Sequence, residues 1–261
     1  MKIITWNLAN YDDHANWEIR KNLIAAELIK EKPDMIALQE VRFNAANPST
    51  KESYQNTAGQ VFDLLQKDEA FADYELIVQP VMHYPANPKH TFWEGLALIS
   101  RYEIPHHGFI KYHQDPQNPD SNKRGVLYGI AELPEEDLCI ANTHFSYEQN
   151  FQAGNAEDLL ELVEQFMEVP FMVMGDFNTI AKSEALMKLE CFDLVNAWKV
   201  LADEFDDDET FPTSAPEVAI DQIWVNQILA ENLKSIKRIG LEADKGIYAS
   251  DHFGLSLEIG N

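Results

Sequence analysis

The sequence predicts an α/β fold. Short apolar runs that suit buried strands alternate with longer stretches of helical spacing, and 261 residues at 45% hydrophobic content can bury the core of one large domain. Several of these runs also end in a polar pair. In residues 171–179, FMVMGDFNT, an apolar run stops at Gly175 and is followed by Asp176 and Asn178.

Taken in order, residues 2–6 read as a strand, and residues 16–29 place Trp17, Leu23, Ile24 and Leu28 near helical spacing before Pro33 stops the helix. A buried strand follows at 35–38, a helix at 60–65, and strands at 74–78 and 96–100. Residues 124–132 and 138–142 read as a hairpin turned at LPEED. Residues 156–166 bring Leu159, Leu160, Leu162, Val163 and Phe166 to one side of a helix. Runs at 171–174, 220–225, 236–239 and 254–259 complete the strands, with Trp6 and Trp224 expected in the core.

Two stretches, 42–56 and 83–93, mix proline and asparagine without periodicity and predict long loops, which often shape binding sites. Tyr54, Tyr84, Phe92 and Trp93 are their candidate apolar walls. The acidic stretch 203–217 lacks the ligand spacing of a calcium loop and predicts a solvated loop. No internal repeat or linker-like change of composition divides the chain, so a single domain over 1–261 is expected.

The net charge of −24 repels polyanions and anionic lipid at long range unless basic residues gather locally or divalent cations intervene. Arg101, Lys111, Lys123 and Arg124 are the basic groups near the apolar runs, a thin set for gripping nucleic acid. Cys139 and Cys191 have no zinc or disulfide spacing and are expected as buried thiols. The first residues lack a signal peptide's apolar stretch, and no run of about 20 apolar residues occurs, so a cytoplasmic protein without a transmembrane segment is expected. Nothing points to a protein partner.

Polar residues recur where strands end: Asn7, then Gln39 and Glu40, Asn142 and His144, Asp176 and Asn178, and Asp251 with His252. One such pair is an ordinary turn. Five imply convergence on one pocket, since ligands of α/β sheets bind at strand ends. Glu40, Asp176 and Asp251 are hard oxygen ligands suited to Mg²⁺ or Mn²⁺. Asn7, Asn142 and Asn178 can contact a phosphoryl oxygen without adding charge, and His144 and His252 can move protons near neutral pH. On an extended backbone, Asp176 and Asn178 project from the same side. His83, His90, His106, His107 and His113 fit no such pair and read as surface or loop histidines.

The set TWNLAN (5–10), IALQEV (36–41), EGLALISRYEI (94–104), ANTHF (141–145), VMGDFNT (173–179), IDQIWV (220–225) and SDHFGL (250–255) resembles, in this order, the endonuclease/exonuclease/phosphatase superfamily. The resemblance implies a deoxyribonuclease I-like, four-layer α/β sandwich of two mixed sheets with helices outside. It implies Glu40 as the principal Mg²⁺ ligand, with Asn7 close by and Asp251 helping to hold the ion. Asp176 would activate the attacking water, Asn178 contact the phosphoryl group, Asp221 fix the tautomer of His252, and His144, oriented by Glu94, contact the phosphate or assist the leaving group. Arg124 is the candidate phosphate clamp, with Asn142 a further phosphate contact. The implied activity is metal-dependent phosphoester hydrolysis. The acidic charge favours a small phosphorylated metabolite or lipid headgroup over DNA or RNA, with a nuclease as the alternative. A catalytically inactive binding module of the same fold is a second alternative, which the full set of chemical groups disfavours.

Overall fold

The computed structural model describes residues 1–11, 14–43, 56–87, 90–114, 122–202 and 208–260, with the backbone path alone for 83–87 and 90–93. Tyr54, the side chains of Tyr84, Phe92 and Trp93, and residues 203–207 lie outside this description.

The strands are β1 (Lys2–Asn7), β2 (Met35–Phe43), β3 (Glu75–Asn87), β4 (His90–Ser100), β5 (His106–Lys111), β6 (Gly125–Ala131), β7 (Leu138–His144), β8 (Phe171–Asp176), β9 (Val195–Asn196), β10 (Asp221–Val225), β11 (Leu233–Ile239) and β12 (Gly254–Ile259). They form two six-stranded sheets, ordered β11-β12-β1-β2-β4-β3 and β5-β6-β7-β8-β10-β9. Both are mixed. β1 runs parallel to β2, and β7 to β8, while the other neighbours are antiparallel.

Side-chain alternation explains the layers. Ile3, Met35, Ala37, Leu96 and Leu98 of the first sheet meet Leu127, Ile140, Met172, Met174 and Ile223 of the second. On the opposite faces, Ile4, Trp6, Ile36 and Leu38 pack under α1 (Trp17–Glu31) and α2 (Thr57–Leu65), and Cys139, Ala141, Phe171 and Val173 pack under α3 (Gln149–Gln165) and α4 (Glu184–Cys191). The central strands are buried on both faces, which is why they read as unbroken apolar runs. The result is the four-layer α/β sandwich that the motifs imply. Among the described residues, no helix is long and apolar enough to cross a membrane.

Local chemistry sets the helix limits. The Asn56 side chain accepts from Gly59 N–H at 2.6 Å to start α2, and Ser183 accepts from Leu186 N–H at 3.3 Å to start α4. α1 ends where Lys32 turns left-handed at φ 51, one residue before Pro33.

Several expectations are corrected. Within the predicted loop 83–93, residues 83–87 and 90–93 belong to β3 and β4, which pair Tyr84 with Phe92 and Asn87 with His90 across a register shift. That irregularity, together with Pro85, hides the period-two pattern. β2 runs on to Phe43, and α3 starts at Gln149 because Gln152 and Asn155 are buried polar residues that bond to a loop. β5 and α4 were not expected, nor were the short β9, α5 (Ala197–Leu201) and α6 (Gln227–Ala230). β5 is an edge strand of mostly exposed or half-buried residues, so no apolar run marks it. Cys139 is buried as expected, but Cys191, on the last turn of α4, is exposed.

Candidate active site

Strand register brings the second sheet's chemistry into one row. His144 at the end of β7 lies beside Asp176 at the end of β8, which faces Asp221 at the start of β10. In the first sheet, Asn7 ends β1 beside Gln39 of β2. The sheets face each other, so Asn7 meets Asp176 across the gap, with Nδ2 3.0 Å from Oδ2.

Glu40 reaches this point through a bulge. The β2–β4 register shifts between Leu38 and Val41, and Glu40 there adopts φ 52, a left-handed conformation costing an L residue about 1–3 kcal/mol. Its Oε2 accepts from Asn10 N (2.8 Å) and Nδ2 (3.0 Å), and its Oε1 from Asn7 Nδ2 (3.2 Å). Burial pushes the Glu40 carboxyl up, but the Asn10 N–H, the His252 cation and the Asn7 amide outweigh it and hold the group below the ordinary carboxylate value. It is therefore ionised at neutral pH.

Asp176 is buried, and burial followed by the Asp221 charge pushes it up to about 7, against the pull of His252, Asn178 N–H and Asn7. Its Oδ1 accepts from Asn178 N at 2.8 Å. Its Oδ2 lies 3.4 Å from His144 Nε2 and 3.8 Å from His252 Nε2. His252 Nδ1 lies 2.8 Å from Asp221 Oδ2. Burial lowers the His252 pKa, but the charge and hydrogen bond of Asp221, with Asp176 and Asp251 adding, raise it to about 10. The imidazole is a cation between two aspartates.

His144 is the opposite case. Burial, then the Arg124 charge, hold it well below 6.5 and leave it neutral. Arg124 Nη1 lies 2.8 Å from His144 Nδ1 and 3.1 Å from its Nε2, and Nε2 lies 3.4 Å from Asp176 Oδ2; with the nearer nitrogen, Nδ1, accepting from the guanidinium, the Nε2–H faces Asp176. Glu94 reaches His144 through Arg124. It takes Arg42 Nη1 at 3.0 Å and Arg124 Nη1 at 3.3 Å, and the same Nη1 lies against the His144 ring. Arg124 is itself buried and opens, with His144, Glu94 and exposed Lys123, onto a cavity of about 10 Å³.

Two other expected roles change, and so does one expected geometry. Asn142 is fully buried, with Nδ2 donating to Leu38 O (2.9 Å) and Ala97 O (2.8 Å) and Oδ1 accepting from Gln39 Nε2 (2.7 Å). Its amide braces the sheets and has no hydrogen left for a phosphate. Asn7 is close to Glu40 as expected, but its Oδ1 accepts from Ala9 N–H at 2.9 Å, so it turns its nitrogen, not a ligand oxygen, toward the site. Asn178 has φ 49, so the extended geometry does not persist past Asp176, and its Nδ2 donates to Phe145 O at 3.0 Å.

Asp251 is partly exposed and pairs through Oδ2 with His14 Nε2 at 3.1 Å. His14 and Asn10 went unnoticed in the sequence, although Asn10 closes the TWNLAN stretch. Phe211 was missed too: its ring lies 4.7 Å from that of His252. Among the described residues, Asp176, Asp221 and His252 offer three ligand atoms within 4.8 Å of one another. Asp221 engages His252 through Oδ2 alone and leaves its Oδ1 buried without a hydrogen-bond partner among the described residues, so both this trio and half-buried Glu40 present oxygens that could hold a cation.

The family described as Endonuclease/Exonuclease/phosphatase family matches residues 4–252. Nocturnin from Xenopus laevis is 22% identical over 265 residues, covering 92% of this chain, which spans 63% of that relative. Among solved structures, an endonuclease/exonuclease/phosphatase family protein from Leptotrichia buccalis superposes with a TM-score of 0.81 at 22% identity over the full length of both chains. The human Nocturnin catalytic domain with bound sulfate gives 0.73 at 22% identity, covering 98% of this chain and 92% of that one. TDP2 from D. rerio with a single-strand DNA product gives 0.71 at 17% identity, covering 98% and 97%.

Proposed function

The chain belongs to the endonuclease/exonuclease/phosphatase family, and from that premise we propose that it is a divalent-metal-dependent phosphoesterase in which water activated by Asp176 attacks phosphorus in line. One observation carries the reading. The Asn7 amide nitrogen ties Glu40 Oε1 and Asp176 Oδ2 together at 3.2 and 3.0 Å, so the ionised ligand and the base flank one spot.

Glu40, helped by Asp251, offers hard carboxylate oxygens that suit Mg²⁺ or Mn²⁺. Such an ion, when bound, neutralises charge on the phosphoryl oxygens. Asp176 takes the proton of the attacking water, and a carboxyl raised to about 7 matches that task better than an ordinary one. The His252 cation, held by Asp221, donates to the oxygen on which charge develops. His144 steadies Asp176 Oδ2 through its Nε2–H, Arg124 brings a positive charge to the same side, and Asn178 keeps one N–H for the phosphoryl group. No covalent intermediate is needed.

A small phosphorylated metabolite or lipid headgroup suits a chain of net charge −24 better than a polyanion. A second reading, hydrolysis of nucleic acid, draws on the TDP2 neighbour solved with single-strand DNA product.

The test is hydrolysis of bis-p-nitrophenyl phosphate with Mg²⁺ or Mn²⁺. We expect turnover that EDTA abolishes and that Asp176→Ala and His252→Ala each lower by about 10²–10⁴-fold in kcat/KM. A folded protein inert toward a panel of phosphomonoesters and diesters with either metal would overturn the assignment in favour of a binding module. Nicking of supercoiled plasmid at physiological salt would select the nucleic-acid reading.

A further inference from the structure

Arg20, in the first turns of α1, is 4% exposed, and all its hydrogen-bond partners are backbone carbonyls. Nη1 donates to Leu8 O (2.7 Å) and Ala249 O (3.2 Å), Nη2 to Ala9 O (2.6 Å) and His14 O (3.4 Å), and Nε to Ala15 O (3.1 Å). One guanidinium thus joins three segments: the turn after β1, the entry to α1 and the approach to the Ser250–His252 stretch.

The Ala9 contact leads into the site. The peptide whose carbonyl Arg20 holds is the one whose N–H, on Asn10, donates to Glu40 Oε2 at 2.8 Å. The Ala9 N–H, on the other side of that residue, donates to Asn7 Oδ1 and so turns the Asn7 nitrogen toward Glu40 and Asp176. Ala9 stands at φ 51 and Glu40 at φ 52, two left-handed L residues that need surrounding structure to hold them. On the third segment, Ala249 precedes Ser250, whose hydroxyl donates to Asn7 O at 2.7 Å and accepts from His252 N at 3.1 Å.

We propose that Arg20 is a positioning residue: its guanidinium fixes the Ala9–Asn10 peptide and, through it, the Glu40 carboxylate and the Asn7 amide in the arrangement that receives a divalent cation. Only the cation step rests on the phosphoesterase reading. The fork is essential because a lysine ammonium brings three N–H donors from one atom, against the five carbonyls that the guanidinium reaches from three nitrogens.

The test uses the full chain with Arg20→Lys and Arg20→Ala and reads two quantities, hydrogen exchange at the Asn10 amide and Mn²⁺ affinity by titration calorimetry. We expect both variants to exchange Asn10 faster and to bind Mn²⁺ about tenfold or more weakly, a loss of about 1.4 kcal/mol. Millimolar guanidinium restores both readouts in Arg20→Ala, and ammonium restores neither. An Arg20→Lys protein with native circular dichroism that keeps the parental Mn²⁺ affinity, or keeps Asn10 protected, overturns the proposal, and it decides the matter if Arg20→Ala does not fold. Should the parent take up no Mn²⁺, the phosphoesterase reading fails, and exchange at Asn10 alone decides the role of Arg20.

Discussion

Asn142 and Asn7 show how one residue type divides its labour. A carboxamide both donates and accepts, so the letter Asn at a strand end does not reveal whether it faces a ligand or the core. Here the distinction follows from what lies opposite: carbonyls of Leu38 and Ala97 face Asn142, whereas carboxylates face the Asn7 nitrogen. Asn142→Ala takes the side-chain donor from two buried carbonyls and one acceptor from the Gln39 amide, and we expect it to cost roughly 2–5 kcal/mol in urea unfolding. Parental stability would show that the amide is no brace. Glu40, Asp176 and His252 were legible in the sequence because their chemistry is distinctive, and the strand ends do bring them together. The Arg124 link between Glu94 and His144 was not legible, since it depends on which of two nearby side chains reaches the imidazole first.

At the level of strands and helices, the doubly buried runs β1, β2, β7, β8 and β10 were readable from apolar content, while edge strand β5 and the irregular hairpin arms were not. Buried strands announce themselves through the hydrophobic effect. Edge strands are specified by backbone pairing, which leaves little mark on composition. Gly175 illustrates a requirement of backbone geometry. It stands at φ 145 between Met174 and Asp176, and a Cβ there would meet Thr143 O at 1.9 Å. Gly175→Ala must therefore push β8 from β7 at the position that aims Asp176. We expect a loss of at least about 3 kcal/mol in unfolding free energy, with a fall in kcat in whatever folds. Unchanged stability would mean the strand end can shift freely.

Across the whole molecule, the site couples folding to protons. His252 rises from an ordinary 6.5 to about 10 and Asp176 from 3.8 to about 7. Both folded-state values lie above the unfolded ones. Each contribution is therefore complete below the unfolded value and disappears as pH climbs through the folded one, Asp176 first and His252 later. The metal-free protein in EDTA should lose thermal stability steadily from about pH 6 to pH 10. A melting temperature that holds or rises over that interval would contradict the buried His252 cation. Glu40, held below its ordinary 4.5, acts oppositely: its contribution is complete above that value and is lost as pH falls through the lowered one.

The strand order has a consequence for how the protein comes into being. β12 sits between β1 and β11, and His252 lies just before it, so the first sheet cannot close until β12 is in place beside β1. A growing chain that has reached β8 but not β12 carries Glu40 and Asp176 without His252, so the pocket closes late and from segments far apart in sequence.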